Sequence, residues 1–282
     1  MLKGYIEGYY GRLFSKDERE KVIKHMSRLG MDFYLYGPKE DLYHRIEWDK
    51  VYPVKEQKTL KDLTSICKKN KIRPIFAISP GLKSSNVSIS DKRNLILKIK
   101  QAQKLGFKEF AIFFDDINHE RNGTLAESHL EMIEIVSSID KIEYEDLLIC
   151  PTVYCTSFAK GDLQNNNYLR VLASGIDPRV SILWTGDEVV SETIPQKGLK
   201  DIRSLFSNPL IIWDNYYAND YCPSRFYIGP YKGRKSIYKF ASAVGINPTG
   251  LPITDMICLS RFMSDLTDRQ ILDEYKIPKE FS

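Results

Sequence analysis

Long hydrophobic runs are absent from this sequence of 282 residues. No apolar stretch approaches the roughly 20 residues that a membrane-spanning helix needs. The first ten residues, MLKGYIEGYY, also lack the apolar core and small-residue cleavage site of a secretory signal. We therefore expect no membrane-spanning segment, no secretory signal and no membrane partner.

Cysteine is scarce, and its five occurrences are scattered without the spacing of a metal site. They are Cys67, Cys150, Cys155, Cys222 and Cys258. An odd, unpatterned set favours reduced thiols that serve as small core residues. Together with the missing secretory signal, it predicts a cytoplasmic location.

A strong excess of one charge is missing as well. The 41 Lys and Arg residues stand against 37 Asp and Glu residues, which gives a formal charge of +4. This excess is too small to indicate a nucleic-acid partner. The 43% hydrophobic and 28% charged residues are instead typical of a folded protein with a well-filled core.

Several catalytic signatures are absent. The first predicted strand is not followed by a Gly-rich dinucleotide fingerprint, and no Gly-x-Ser-x-Gly nucleophile elbow occurs. The four histidines are His25, His44, His119 and His129. We expect structural or surface positions for them, although His119 lies close in sequence to the acidic pair described below. The sequence also predicts no cofactor.

Apolar runs of strand length recur along the chain, and helical segments separate many of them. Strands are predicted at residues 4–10, 32–36, 73–79, 109–114, 147–151, 181–184, 210–213 and 241–246. Helices are predicted at residues 15–29, 59–69, up to 105, 125–139 and 253–266. Parallel strands need crossover connections, which are usually helices, and near-continuous apolar strands indicate a sheet buried on both faces. The pattern predicts an α/β fold, a single (β/α)8 TIM barrel over residues 1–282 with no clear accessory domain.

Polar side chains follow the predicted strands, where the active site of an α/β barrel lies. They comprise carboxylates, a cation, a phenol, amides and an indole, together with one glycine. These candidates are Gly8, Lys39, Asp115, Asp116, Tyr154, Trp213, Asn215, Asp220 and Asn247. Such a mixture suits a polar sugar that lies against an aromatic surface.

Asp115 and Asp116 directly follow the apolar run that ends at Phe114. Two carboxyl groups so close raise one another's pKa, and partial burial adds to that effect, so one of them can stay protonated near neutral pH. The pair would then offer a general acid beside an anion. A helix N-cap pair and a Mg²⁺ site are alternative interpretations. Because no His/Asp/Glu cluster at helical spacing supports the metal, we predict no metal site.

Ten short segments, in order along the chain, resemble the catalytic domain of glycoside hydrolase family 84, which contains O-GlcNAcases and bacterial β-N-acetylglucosaminidases. They are EGYYGR (Glu7–Arg12), YLYGPKEDLYHR (Tyr34–Arg45), AISPGL (Ala77–Leu82), FFDDI (Phe113–Ile117), CPTVYC (Cys150–Cys155), LWTG (Leu183–Gly186), IIWDN (Ile211–Asn215), ANDY (Ala218–Tyr221), GPYKGR (Gly229–Arg234) and INP (Ile246–Pro248). The ordered set spans almost the whole chain and is far more specific than any one segment.

The resemblance implies a retaining β-N-acetylglucosaminidase that uses substrate-assisted catalysis. In this mechanism the 2-acetamido group of the substrate attacks the anomeric carbon and forms an oxazoline. By this resemblance Asp115 orients and polarises the acetamido group. Asp116 acts as the general acid that protonates the leaving oxygen, and later as the base that activates water.

The same resemblance assigns roles to the other candidates. Gly8, through its backbone carbonyl, and Lys39 would bind sugar hydroxyls, while Asp220 and Asn247 would hold the hydroxyls at the far side of the ring. Around the acetamido group, Tyr154 would stabilise the reacting oxygen, Trp213 would form part of the wall beside the methyl, and Asn215 would hydrogen-bond to the group. The implied substrate is a glycoprotein or glycan that carries terminal β-linked N-acetylglucosamine.

Two further functions stay open from the residues alone. The pocket could belong to a sugar-binding module without turnover, although both acidic residues are present. Alternatively, Asp115 and Asp116 could serve a metal-dependent hydrolase, which a chelator would inhibit. The sequence does not indicate an oligomeric state.

Overall fold

Eight parallel strands form a closed barrel in the computed structural model, which describes residues 1–80, 87–117, 119–264 and 270. Each strand is hydrogen-bonded to the next, and β8 pairs with β1 to close the ring. The strands are β1 (Leu2–Glu7), β2 (Phe33–Tyr36), β3 (Arg73–Ile78), β4 (Glu109–Phe113), β5 (Leu147–Cys150), β6 (Ser181–Trp184), β7 (Leu210–Asp214) and β8 (Ala243–Ile246). The predicted (β/α)8 barrel is confirmed.

A helix follows every strand within the described residues. The helices are α1 (Lys16–Arg28), α2 (Val54–Lys69), α3 (Ile89–Lys104), α4 (Gly123–Ser137), α5 (Asn167–Gly175), α6 (Gln196–Leu205), α7 (Ile237–Phe240) and α8 (Pro252–Met263). The sequence did not predict α5, α6 or α7, while a Ser15–Glu18 capping box marks the start of α1, where the first helix was predicted. The predicted end of the last helix, at about residue 266, lies outside the described residues. None of the described helices has the length and apolar character required to cross a membrane.

Alternation along β1 decides which side chains reach the barrel interior. Gly4 and Ile6 face inward, whereas Tyr5 and Glu7 face the surrounding helices, where Tyr5 donates a hydrogen bond to Asp255 of α8 at 2.7 Å. The strand ends at Glu7, three residues before the predicted end at residue 10. As a result Gly8 begins the loop at the carboxyl end of the barrel.

An apolar cluster that includes Ile6, Phe33, Ile75 and Leu148 fills the barrel interior. The Phe33 ring lies so close to Gly4 that a Cβ there would be 2.3 Å from it. A small residue on one strand therefore makes room for a large one on the next, as in packed barrel interiors. This core fills the barrel interior below the loops at its carboxyl end.

Outside the barrel, a buried ion pair fixes α1 to the end of β1. The Arg19 guanidinium donates to both oxygens of Glu7, at 3.0 and 2.6 Å, and the Tyr34 hydroxyl donates to Glu7 at 2.5 Å. Both charged side chains are almost fully buried, so each depends on the other for compensation. Since Glu7 directly precedes Gly8, the pair also fixes the start of the first loop.

We expect Arg19→Met to lower the free energy of unfolding by about 3–5 kcal/mol, because it leaves the Glu7 carboxylate buried without its cation. Chemical denaturation would measure this loss. Lys24→Met, which removes an exposed pair with Glu20 on the same helix, should change stability little. Equal effects of the two substitutions would contradict the argument.

Candidate active site

A cavity of about 700 Å³ opens at the carboxyl ends of the strands. All nine candidates from the sequence line it: Gly8, Lys39, Asp115, Asp116, Tyr154, Trp213, Asn215, Asp220 and Asn247. The ends of β1, β2, β4, β5, β7 and β8 and the loops after them therefore meet in one place, as the barrel geometry requires. The roles of these residues remain predictions, but their convergence defines one candidate site.

Asp115 is held by a buried lysine on one of its oxygens only. The Lys39 ammonium donates a hydrogen bond to Asp115 Oδ2, and both side chains are almost fully buried. The second oxygen, Oδ1, is buried and has no hydrogen-bond partner within the described residues. A buried acceptor without a partner is costly, so this oxygen is suited to accept a hydrogen bond from a ligand.

Asp116 has a different environment, with a phenol at each oxygen. The Tyr10 hydroxyl donates to Oδ2 at 2.9 Å, and the Tyr154 hydroxyl donates to Oδ1 at 3.1 Å. The Lys39 ammonium is 3.5 Å from Oδ2. The backbone of Asp116 has a φ of 53°, in the left-handed region that non-glycine residues seldom adopt and that is frequent at functional sites.

These environments give the carboxyl groups of Asp115 and Asp116 different pKa values. Burial raises the pKa of Asp115 despite the nearby Lys39 charge. Burial also acts to raise the pKa of Asp116, but the Lys39 charge and the hydrogen bonds from Tyr10 and Tyr154 outweigh it and lower that pKa. The separation expected from the sequence is present, but in the ligand-free protein Asp115 is the carboxyl group with the raised pKa, because the effect of its burial outweighs that of the Lys39 charge.

A chain of amide hydrogen bonds forms the opposite wall. Trp213 Nε1 donates to Asn215 Oδ1 at 2.9 Å, and Asn247 Nδ2 donates to the same oxygen at 2.8 Å. Asn215 Nδ2 donates to the Val189 carbonyl at 2.8 Å, while the Gly8 amide donates to Asn247 Oδ1 at 3.2 Å. The chain fixes the orientation of both side-chain amides and joins the loops after β1, β6, β7 and β8.

A second buried ion pair holds the loop that carries Val189. The Arg234 guanidinium donates to Asp214, at the end of β7, at 3.0 and 3.1 Å, and it also donates to the carbonyls of Ser191 and Glu192. Arg234 and Asp214 are both almost fully buried. The loop after β6 is thereby fastened to β7 next to Trp213, which keeps that wall of the pocket in place.

Gly8 lies against the ring of Trp213. A Cβ built at position 8 would lie 2.5 Å from Trp213 Cζ2, closer than any non-bonded contact allows. The absence of a side chain is therefore what lets the first loop pack against the indole.

We expect Gly8→Ala to displace the Trp213 ring and to weaken binding of N-acetylglucosamine, the sugar that the sequence resemblance implies, by about tenfold or more, since close-packed sites tolerate added methyl groups poorly. Isothermal titration with the sugar would measure this. Gly161→Ala, in an exposed loop outside the pocket, strains a backbone with a φ of 81° and serves as the control for a general loss of stability, with sugar affinity expected to stay unchanged. Unchanged affinity in Gly8→Ala would contradict the prediction.

Some residues of the pocket were missed by the sequence reasoning. Tyr10, Cys150, Thr185, Glu188 and Tyr221 also line it. Tyr10 lies in the loop after β1, which ends at Glu7. The predicted first strand ran to residue 10, so Tyr10 was counted as part of the strand and not as a polar residue that follows it. The Cys150 thiol is buried near Asp115, and burial together with that negative charge raises its pKa, so it stays a neutral thiol.

Histidine does not line the pocket within the described residues. His44 and His129 are buried, and burial lowers the pKa of each to about 3. His129 stacks on Phe114 and is 3.0 Å from the Tyr168 hydroxyl, behind the acidic pair. Across residues 1–80, 87–117 and 119–264, no group of three or more His, Cys, Asp or Glu side chains is arranged to hold a metal ion.

Comparisons with known proteins agree on one family. The sequence model described as beta-N-acetylglucosaminidase matches residues 3–276. The proteins named Protein O-GlcNAcase from Mus musculus and Rattus norvegicus are each 34% identical over 241 residues, which is 83% of this chain and 26% of the relative. The chain thus corresponds to about a quarter of the length of these relatives. A solved O-GlcNAc hydrolase mutant from Thermobaculum terrenum is 28% identical, with a TM-score of 0.85 over 97% of this chain and 63% of that one.

Proposed function

The chain belongs to the β-N-acetylglucosaminidase family, that of glycoside hydrolase family 84, and from this premise we propose that it hydrolyses terminal β-linked N-acetylglucosamine with retention of configuration. The proposed substrate is a protein or glycan that carries this sugar. The acetamido group of this N-acetylglucosamine acts as the nucleophile, so the reaction requires no enzyme nucleophile and no metal.

The unpartnered Oδ1 of Asp115 is the observation that carries this proposal. It is a buried acceptor held rigidly by Lys39 at the other oxygen, and it lies in the same pocket as a second carboxyl group whose two oxygens are both hydrogen-bonded. An acetamido N–H is the donor that would satisfy Asp115 Oδ1. That hydrogen bond turns the acetamido carbonyl oxygen toward the anomeric carbon and increases its nucleophilicity.

In the first step we propose that the acetamido oxygen forms a bond to the anomeric carbon while the glycosidic bond breaks. The proton of Asp116 goes to the leaving oxygen, and the electron pair of the broken bond stays on that oxygen. Positive charge develops on the oxazoline, and the Asp115 carboxylate stabilises it through the N–H hydrogen bond. The Tyr154 hydroxyl turns from Asp116 to the acetamido oxygen.

In the second step a water molecule attacks the anomeric carbon from the face that the leaving group has vacated. Asp116 accepts the proton of the water, and the bond between the anomeric carbon and the acetamido oxygen breaks. Two inversions at one carbon give net retention, and both the acetamido group and the protonated Asp116 are regenerated.

Substrate binding also accounts for the role of Asp116 as the acid despite its lowered pKa in the free protein. A donor at Asp115 Oδ1 stabilises the anionic form of Asp115, which lowers its pKa. Loss of the Tyr154 hydrogen bond and exclusion of water by the sugar raise the pKa of Asp116. With the substrate in place, Asp116 is therefore the carboxyl group of the pair that holds a proton more readily, and Asp115 is the one that stays ionised.

The remaining candidates supply binding in this proposal. Lys39, the Gly8 carbonyl, Asp220 and Asn247 bind the sugar hydroxyls. Trp213 and Asn215 enclose the acetamido group. All of these groups lie on the pocket wall, and the hydrogen-bonded amides of Asn215 and Asn247 are fixed before the sugar arrives, which lowers the entropic cost of binding.

The proposal is tested by the rate of hydrolysis of aryl β-glucosaminides whose N-acetyl group carries zero to three fluorine atoms, with and without a chelator. Fluorine withdraws electrons from the acetamido oxygen, so substrate assistance requires kcat/KM to fall steeply with each fluorine. Rates that do not respond to fluorine would contradict substrate assistance. Inhibition by the chelator would favour a metal-dependent hydrolase, and sugar binding without turnover would favour a binding module.

We also propose a cytoplasmic location. All five cysteines are free, which is compatible with a reducing compartment. A fusion of the chain to a fluorescent protein, imaged in the source cell, tests this directly.

A further inference from the structure

Tyr10 connects three parts of the pocket. Its hydroxyl donates to Asp116 Oδ2 at 2.9 Å, and its backbone amide donates to Asp220 Oδ2 at 2.9 Å. The Arg45 guanidinium lies 5.4 Å and the Lys39 ammonium 5.8 Å from the centre of its ring, both within range of cation–π attraction. Although its side chain is at the exposed rim of the pocket, it is held from several sides.

The two phenols that contact Asp116 are not equivalent in the proposed reaction. Each oxygen of Asp116 accepts one phenol hydrogen bond in the free protein. To protonate a leaving oxygen, one carboxyl oxygen must give up its phenol and carry the proton instead. Tyr154 has a second acceptor in the acetamido oxygen, so its hydrogen bond to Oδ1 is the one that is exchanged. The Tyr10 hydrogen bond to Oδ2 has no such replacement.

We propose that Tyr10 is a positioning residue that holds Asp116 through Oδ2 during both proton transfers and so directs Oδ1 toward the leaving oxygen. This inference rests on the proposed function. The left-handed backbone of Asp116 strengthens it, because a residue with φ of 53° depends on surrounding contacts to keep its conformation. Burial raises the pKa of Tyr10 to about 12, so the hydroxyl keeps its proton throughout the pH range of the reaction.

The experiment compares Tyr10→Phe with wild type on two aryl N-acetyl-β-glucosaminides. One has a good leaving group, dinitrophenol, which departs with little protonation, and the other has a poor one, methoxyphenol. If Tyr10 acts through the acid, kcat falls by about tenfold or more on the poor leaving group and by about twofold or less on the good one, since general acid catalysis accelerates only departure of a basic leaving group.

The limbs of the pH profile provide a second readout. The hydrogen bond from Tyr10 stabilises the ionised form of Asp116, so its removal raises the pKa of that carboxyl group. Asp116 has the lower pKa of the pair in the free protein, and we therefore expect the acidic limb of kcat/KM to move to higher pH in Tyr10→Phe. A role in folding alone would not move this limb.

Tyr221→Phe is the matched control, because Tyr221 is another exposed tyrosine at the pocket rim and its hydroxyl makes no hydrogen bond within the described residues. Any change it causes should be the same for both leaving groups. Tyr154→Phe, by contrast, should lower the rate on both substrates, since Tyr154 acts on the acetamido oxygen. Together the three variants separate an effect on the acid from an effect on the nucleophile.

Two outcomes overturn the inference while leaving the proposed function intact. Wild-type turnover with no change in Tyr10→Phe would show that Asp116 does not need the phenol. An equal loss on both leaving groups, without a shift of the acidic limb, would show that Tyr10 only shapes the pocket. Absence of turnover in the wild type would instead reject the proposed function itself.

Discussion

Asp116→Asn is expected to lower kcat by about 10²- to 10⁴-fold on a substrate with a poor leaving group, because the amide can neither give a proton to the leaving oxygen nor accept one from water. Asparagine has nearly the same shape: its oxygen can still accept the hydrogen bond of one of the two phenols, and its NH2 group can donate to the hydroxyl oxygen of the other. The loss therefore reports on proton transfer rather than on packing. The measurement is steady-state hydrolysis of a series of aryl glucosaminides.

The dependence on leaving group distinguishes the two roles of Asp116. With dinitrophenol the first step needs little protonation, so the oxazoline forms and its hydrolysis, which needs a base, becomes limiting. Added azide, a nucleophile that requires no deprotonation, should then restore turnover and yield a β-glycosyl azide. A loss of less than about tenfold, or no rescue by azide, would mean that another group is the acid–base.

Asp220→Asn serves as the control for the removal of a carboxylate from the same pocket. The Asp220 carboxylate accepts hydrogen bonds from the backbone amides of Tyr10 and Tyr221, and in the proposed function it binds sugar hydroxyls. Its substitution should therefore lower kcat/KM by a similar factor for every leaving group, and azide should not rescue it. The contrast isolates the acid–base function from general sugar binding.

The barrel could be predicted from the sequence because each strand is a short apolar run buried on both sides. The predicted sixth strand coincides with β6, and every other predicted strand overlaps the observed one, with ends that differ by up to three residues. The early helices are long and amphipathic, and Ser15 and Glu18 mark the start of the first. Local pattern was sufficient for these elements.

The helices α5, α6 and α7 were missed for a physical reason. They have nine, ten and four residues and follow long loops, so each offers few turns over which a helical period can be recognised. Their position depends on tertiary contacts, such as the burial of Tyr168 and Leu172 from α5. Packing against the barrel stabilises such short helices more than their own propensity does.

The site could be predicted as a set of residues but not as a network. Each candidate was placed by its position after a strand, which the barrel turns into proximity. Hydrogen bonds such as those from Tyr10 and Tyr154 to Asp116 join residues over a hundred and nearly forty positions apart, and no local pattern encodes them. The raised pKa of Asp115 has the same origin, since the burial that causes it exists only in the folded structure.

Lys39→Met should produce opposite responses of activity and stability to pH. In the wild type, burial alone would lower the pKa of Lys39, but the charges of Asp115 and Asp116 outweigh it and raise that pKa, so the cation persists. Without it, the pKa values of both carboxyl groups rise, and Asp115 becomes neutral and unable to support the oxazoline charge. We expect kcat/KM near pH 7 to fall by about 10²-fold or more and to recover partly as the pH is raised and Asp115 ionises.

Stability should change in the other direction. A buried carboxyl group whose pKa is higher in the folded than in the unfolded protein binds more protons when folded, so stability falls as the pH rises from the usual carboxyl pKa toward the raised one. Lys39→Met should therefore lose little stability at low pH and about 3–5 kcal/mol once Asp115 is ionised without its partner. Adding Asp115→Asn should remove the pH dependence of this loss, because no buried charge is then left.

Lys98→Met is the matched control, since Lys98 is also a fully buried lysine but donates to the Tyr43 carbonyl instead of a carboxylate. It should destabilise the protein without moving the pH profile of hydrolysis. Denaturation and kcat/KM, each measured across pH for the variants, decide the matter. If Lys39→Met gained activity and stability together as the pH rose, the lysine would not be the group that keeps Asp115 ionised, and the electrostatic basis of the proposed mechanism would fail.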